Sequence, residues 1–252
     1  MLLRVGTSGF SYAEWKGSFY PQDLAADRML SFYAERLPSV EINNTFYRMP
    51  KRALLERWAA EVPEAFRFVL KASQRITHIK RLKEVADDAG YFFDVSATLG
   101  AKLGPALFQL PPNMKKDLPR LETFLGLVPA GRRIAIELRH PSWFDDALVP
   151  ALAGRAALVL SDSDEEEEAP VAEGAKAKRR AAPPLDPQPL RPTADFGYLR
   201  LRRRGYDDAA LARWAEQIRA QPWKEVFVFF KHEDEGTGPR LAARFREIFG
   251  EA

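Results

Sequence analysis

A chain of 252 residues, 46% hydrophobic and 29% charged, has the size and composition of one large globular domain or two small ones, and no run of about 18 apolar residues marks a membrane span. The lack of cysteine excludes disulfides, thiolate metal sites and cysteine nucleophiles, and the opening MLLRVGTSG has no apolar signal stretch, so a cytoplasmic protein without membrane association is expected. The net charge of +3 hides an asymmetry: residues 162–191 carry eight acids and five bases, leaving 33 bases against 27 acids elsewhere, an excess that favours anionic partners without naming one.

Strand-like runs follow one another at 3–8 (LRVGTS), 40–44 (VEINN), 66–72 (FRFVLKA), 104–110 (GPALFQL), 133–139 (RIAIELR), 156–162 (AALVLSD), 196–202 (FGYLRLR) and 225–231 (EVFVFFK). Helical patterning lies between most of them, at Asp27–Leu37, Arg52–Glu61, Tyr91–Lys102, Leu118–Leu127, Asp208–Ala220 and Arg240–Phe249. Strand centres at Val5, Glu41, Val69, Leu107, Ile136, Val159, Leu199 and Val228 are 36, 28, 38, 29, 23, 40 and 29 residues apart. This alternation predicts an α/β protein with a parallel sheet, and the spacing suits a single-domain TIM-type (β/α)8 barrel over residues 1–252. A doubly wound open sheet is the alternative, weakened because no glycine-rich dinucleotide fingerprint follows the first strand and no phosphate loop occurs.

Residues 163–193 break the pattern with blocks of acids, bases and prolines, and are expected to form a mobile low-complexity insertion in place of helix six. The insertion reads as a tolerated surface loop, as a lid or as an electrostatic mimic of nucleic acid. Prolines at 183, 184, 187, 189 and 192 should keep its second half extended.

Strand side chains alternate between faces, so polar residues of one parity can converge inside a closed sheet. In RIAIELRH, Ile134, Ile136 and Leu138 share the helix-facing side and leave Ala135, Glu137 and Arg139 inward. The same reading turns inward Glu41, Asn43, Lys71, Gln109, Arg200, Arg202 and Lys231, all near strand C-termini, where barrels of this type place their chemistry. Two carboxylates against five cations make a cavity that prefers an anion, and arginine can grip phosphate or carboxylate through two parallel hydrogen bonds. The plainer reading is that these charges neutralise one another in structural ion pairs.

Glu137, flanked by cations, is the first candidate for general acid or base, and Glu41 the second. At about 5–10 Å separation the two would form a glycosidase-like pair. Lys71 is read as an electrostatic group or a Schiff-base former. Phe10, Tyr12, Trp15, Phe46, Tyr47, Trp143 and Tyr206 all follow strands and are placed to stack on a sugar or base or to cover the barrel top. The histidines at 78, 140 and 232 form no metal motif, so no cofactor is expected; a divalent metal on Glu41, Glu137 and Asp162 would compete with nearby cations.

The strings VGTSGFSYAEWKGSFYP, VEINNTFYRMP, KASQRITH, LGPALFQLPP and IELRHPSWF, followed by TADFGYLRLR, closely resemble the YecE-like family, domain of unknown function 72, in family order and across nearly the whole chain. The resemblance implies a TIM-type barrel and no established reaction. Its motifs fall on Gly6, Ser8, Tyr12, Trp15, Glu41, Asn43, Asn44, Phe46, Tyr47, Lys71, His78, Gln109, Glu137, Arg139, His140, Trp143, Asp162 and Arg200. The chain departs from the family at Arg202 and Arg203, in place of a His-Gly pair, and at Lys231 and His232, in place of Asn-Asn.

The leading expectation is an enzyme of hydrolase or lyase type acting on a phosphorylated or carboxylated small molecule. Glu137, Glu41 and Lys71 are the catalytic candidates. Ser8, Tyr12, Asn43, Tyr47, Gln109, Arg139, His140, Trp143, Arg200, Arg202 and Lys231 are the substrate-binding candidates. Nucleic-acid binding or phosphodiester processing, and a noncatalytic small-molecule sensor, are the alternatives.

Overall fold

Each strand among the described residues overlaps one of the runs above. The computed structural model describes residues 1–48, 50–163, 189–203, 205–231 and 234–250. The strands are β1 (Leu2–Ser8), β2 (Ser39–Ile42), β3 (Arg67–Leu70), β4 (Ala106–Gln109), β5 (Ile134–Glu137), β6 (Ala157–Leu158), β7 (Leu160–Asp162), β8 (Phe196–Leu201) and β9 (Glu225–Phe230). The sixth expected run is thus divided around Val159.

All named pairings are parallel, in a six-stranded sheet of order β3-β2-β1-β9-β8-β7 and a three-stranded sheet of order β4-β5-β6. Single parallel bridges, Phe68 with Leu103 and Lys71 with Leu107, join the end of one sheet to the other. The Gly104 N–H donates to Phe68 O and the Ala72 N–H to Leu107 O, both at 2.8 Å. At the opposite end the Val159 N–H donates to Ile136 O at 3.0 Å. The chain therefore forms an α/β fold with parallel sheets.

The strands separate two buried layers. Val69, Leu107, Ala135, Ala157, Val159, Phe196, Tyr198, Phe227 and Phe229 form one cluster, drawn from strand positions and Val159 alone. Their alternating neighbours, including Phe68, Leu70, Phe108, Ile136, Leu199 and Val228, belong to a larger core shared with the helices. Residues of the first parity include those expected to face inward. Gly6 on β1 lies opposite Ser39, where an added Cβ would stand 1.9 Å from Ser39 O, so no other residue fits without moving the strand.

The helices are α1 (Met29–Ala34), α2 (Asn44–Tyr47), α3 (Arg52–Glu61), α4 (Ala86–Ser96), α5 (Leu118–Leu125), α6 (Leu148–Leu152), α7 (Asp208–Arg219) and α8 (Thr237–Phe249). Side chains at three- and four-residue spacing bury one stripe of each longer helix, as with Leu211, Ala215 and Ile218 of α7 and Leu241, Phe245 and Phe249 of α8. Asp117 and Asp207 cap α5 and α7, accepting from the backbone N–H groups of Arg120 and Ala210 at 3.1 and 2.7 Å. Gly250, at φ 83°, ends α8 in the left-handed conformation.

Two expected helices start earlier than their apolar periodicity suggests. α4 begins at Ala86 rather than Tyr91, running through Asp87, Asp88 and Gly90. α8 begins at Thr237 rather than Arg240, because Pro239 sits in the first turn, where a missing N–H is harmless. Residues 164–188 of the charged insertion lie outside the described residues, as does His232. The returning chain is anchored at Thr193, whose hydroxyl donates to Ala156 O at 2.7 Å and accepts from the Leu158 N–H at 2.9 Å.

Candidate functional site

Parity decides which side chains meet at the C-terminal ends of the strands. Ser8 of β1 is register partner to Glu41 of β2, and Gln109 of β4 to Glu137 of β5. Arg200 of β8 reaches across to both carboxylates. Its Nη2 donates to Glu41 Oε1 at 2.9 Å, and its Nη1 donates to Glu137 Oε2 at 2.7 Å and to Gln109 Oε1 at 3.3 Å. One guanidinium on β8 thus fixes residues from three other strands.

The carboxylates have further partners. Glu41 Oε1 accepts from the Ser8 hydroxyl at 2.7 Å, and Oε2 from the Tyr198 hydroxyl at 2.6 Å. Glu137 Oε1 pairs with Arg139 Nη2. The side chains of Arg200, Glu41 and Glu137 are 3%, 0% and 1% exposed, so this ion network is withdrawn from water. Arg202 is also buried.

Burial by itself would push both glutamates towards the neutral form. For Glu41, the Arg200 charge, the hydrogen bonds from Tyr198 and Ser8, and the Lys71 charge overcome it and hold the carboxyl below its ordinary value. For Glu137, the charges of Arg139, Arg200, Arg202 and Lys71 do the same. Both are anions in the free protein. Burial and the adjacent Glu41 charge raise the Tyr198 hydroxyl well above its usual value, so it remains a neutral donor.

The other expected residues fall at varied distances from this centre. Lys71 follows β3, with Nζ 4.3 Å from the Phe46 ring centroid, and its charge acts on both glutamates. Lys231 follows β9, half-buried, and its backbone N–H donates to Leu201 O at 3.3 Å. Asp162 is buried beside Arg203 Nε at 2.6 Å and accepts from the Tyr206 hydroxyl at 3.0 Å. Tyr47 is 70% exposed on α2.

Tyr12 and Asn43 line a cavity of about 760 Å³ between the chain after β1 and β2 and the helices α1 and α3, which none of the residues bonded to Arg200 lines. The Tyr12 hydroxyl donates to Ser8 O at 2.7 Å. Trp143 lies differently from the expected stacking position: it is fully buried and its indole N–H donates to Met114 O at 2.8 Å. It packs the loop after β5. His140 turns its Nδ1 to the Ser142 N–H, capping the short turn Pro141–Trp143. Trp15 is likewise core, packed against Tyr12, Phe19 and Tyr20.

Tyr198 was missing from the expected set, although it lies two residues before Arg200 on the same face. Trp58 and Arg57 of the cavity wall were also missed, because they sit on a helix and carry no strand-end signal. Among the described residues no group of three or more histidine, cysteine or acidic side chains converges as a metal would require. The arrangement can recognise an anion with oriented guanidinium donors, and its carboxylates can orient those donors or exchange protons once the surrounding charge changes.

The family described as protein of unknown function DUF72 matches residues 4–252. UPF0759 protein YunF of Bacillus subtilis (strain 168) is 32% identical over 155 residues, 57% of this chain and 52% of that protein. UPF0759 protein YecE of Escherichia coli (strain K12) is 32% identical over 116 residues, 46% of this chain and 43% of that protein. The chain thus spans about half the length of the curated relatives it matches. In overall fold it is similar to the crystal structure of a DUF72 family protein from Thermotoga maritima MSB8, with a TM-score of 0.79 and 24% identity over 98% of this chain and 99% of that one. A DUF72 family protein from Enterococcus faecalis V583 gives a TM-score of 0.76 at 20% identity, covering 100% of this chain and 96% of that one. With the family match running from Arg4 to the last residue, the chain belongs to the DUF72 family.

Proposed function

We propose that the two parallel sheets are arcs of one (β/α)8 barrel and that its C-terminal mouth binds the anionic group of a phosphorylated or carboxylated small molecule. The bridges from β3 to β4, the continuity of β6 with β7 through Val159, and a buried cluster composed only of strand positions and Val159 support closure. The observation carrying the anion reading is Arg200, 2% exposed and held between Glu41 and Glu137, with Lys71 acting on both carboxylates and Arg139 and Arg202 on Glu137. A core gains little from so much buried charge, whereas a site gains preoriented donors.

The enzyme reading extends this one. In the free protein Glu137 is a poor base, since its cations stabilise the carboxylate. An anion that takes up part of Arg139 and Arg200 removes that stabilisation and adds a like charge nearby, and both effects raise the proton affinity of Glu137. The glutamate then becomes competent to accept a proton from the substrate, with Glu41 holding Arg200 in place. Because the cations are recessed rather than spread over an exposed face, a small anion fits them better than a nucleic-acid backbone.

Thermal unfolding against orthophosphate, sugar phosphates, small carboxylates and short oligonucleotides tests the reading. A ligand at about 100 times its Kd should raise Tm by roughly 5–10 °C. Lys71→Ala and Arg202→Gln should reduce the shift for small anions. No shift with any small anion, or a shift confined to oligonucleotides, would overturn the reading. Glu137→Gln should bind the anion and lose turnover.

A further inference from the structure

The two buried glutamates are held by different kinds of donor. Arg139 Nη2 pairs with Glu137 Oε1, and Arg200 Nη1 donates to Glu137 Oε2 at 2.7 Å. Glu41 shares Arg200 through Nη2 at 2.9 Å and accepts from two neutral hydroxyls besides, Ser8 at 2.7 Å on Oε1 and Tyr198 at 2.6 Å on Oε2. Among the described residues, then, the bonds to Glu137 come from guanidiniums, whereas two of the three to Glu41 carry no charge.

That difference decides which carboxylate changes when an anion arrives. An anion competes for guanidinium donors first, because charge-assisted hydrogen bonds are the strong ones. Glu137 then loses the charges that offset its burial, and burial together with the ligand's own charge favours the neutral acid. Glu41 loses one donor and keeps two hydroxyls that stabilise its anion. The groups on the neighbouring strands leave this order intact. Lys71, after β3, acts on both carboxylates, and Arg202, after β8, acts on Glu137. Gln109 of β4 and Ser161 of β7, the register partner of Arg200, are neutral, and Asp162 is paired with Arg203. Ala157 of β6 and Phe229 of β9 are apolar, and Lys231 follows β9.

We infer that anion binding is accompanied by uptake of one proton at Glu137, and that Tyr198 is the positioning residue that directs it there, its hydroxyl and that of Ser8 keeping Glu41 ionised. The inference rests on the anion-binding reading above and adds which carboxylate changes charge and what keeps the other from doing so. With an anion that brings no proton, a buffer acid supplies it: an O–H bond forms at the Glu137 carboxylate and the buffer is left as its conjugate base. With a substrate, the same carboxylate is the acceptor.

Titration calorimetry of the full chain with sulfate and with acetate at about pH 6, repeated in buffers of different ionisation enthalpy, counts the protons taken up, since both anions are ionised in water at that pH. The native protein should take up close to one proton per anion bound, and Glu137→Gln close to none. Adding Tyr198→Phe to Glu137→Gln should restore at least half a proton, now at Glu41. Phenylalanine keeps the ring stacked on Phe227, so the variant should fold. Ser8→Ala in the same background should restore a smaller part. A packing role alone would change stability or affinity and leave the count at zero. Binding without proton uptake by the native protein, or uptake undiminished in Glu137→Gln, would overturn the inference while leaving the anion site standing. No restored proton in either double variant would overturn the role of the hydroxyls. No binding of sulfate, acetate or orthophosphate would remove the anion site and this inference with it.

Discussion

The two ends of the strands both hold arginine–carboxylate clusters, and they differ in depth and in what the arginines contact. At the N-terminal end, Arg4 and Arg133 share Glu225 at 2.8 and 2.5 Å, with side chains 10%, 35% and 14% exposed. Arg4 also donates to Ala65 O at 2.7 Å, and Arg67 to Glu64 O and Phe66 O at 2.9 Å, so guanidiniums here stitch loops to strands. At the C-terminal end Arg200 joins two carboxylates that are 0% and 1% exposed in their side chains. Ion pairs near water cost little and contribute little; pairs this deep carry a desolvation penalty that packing alone gives no reason to accept. The contrast supports the proposal that the deeper cluster is the site.

The largest effect that would break this comparison is at Arg200. Arg200→Met should destabilise the protein by about 3–5 kcal/mol, because it leaves Glu41 and Glu137 facing one another in a dry interior, and urea denaturation at neutral pH measures it. A loss no greater than that of an exposed pair would show that water reaches the network.

Glu137→Gln should cost less, about 2 kcal/mol at pH 7, since Gln109 and Glu41 still receive Arg200. Its pH dependence sharpens the comparison. The folded Glu137 and Glu41 lie below their ordinary values, so their stabilisation is complete above the unfolded pKa of about 4.3 and is lost as pH falls through the lower folded values. The stability gap between the native protein and Glu137→Gln should therefore be constant from pH 7 to about 5 and shrink below about 4. A gap that widens on acidification would reverse the assigned sign. The same variant removes a negative charge from the site, so its affinity for orthophosphate should rise several-fold.

Much of this contrast was legible in the residues themselves. Alternation in RIAIELR and FGYLRLR assigned Glu137 and Arg200 to one face, because a side-chain period of two leaves no other option once Ile136 and Leu199 are packed outward. Parity alone gives convergence without partners, however. That Arg200 joins Glu41 to Glu137, or that Tyr198 completes Glu41, depends on which strands lie across the interior. Trp143 read as a mouth aromatic from its place after β5, yet its indole N–H is satisfied by Met114, 29 residues earlier, a long-range pairing that no local pattern encodes. The cavity wall on α3 was illegible for the same reason, since Trp58 and Glu61 read as ordinary members of an amphipathic helix.

The smallest effect belongs to the N-terminal cluster. Arg133 is one-third exposed, and Glu225 keeps Arg4 when it is removed, so no carboxylate is left without a partner. Its guanidinium also lies 5.2 and 5.4 Å from the rings of Phe196 and Phe227, contacts of modest strength at a site open to water. Arg133→Gln should thus lower stability by only about 1 kcal/mol and leave affinity for orthophosphate unchanged. Calorimetry on this variant is the counterpart of the Arg202→Gln measurement. If removing Arg133 weakened phosphate binding as much as removing Arg202, the bound anion would sit at the wrong end of the strands, and the greater depth of the Arg200 network would have to be explained by stability alone.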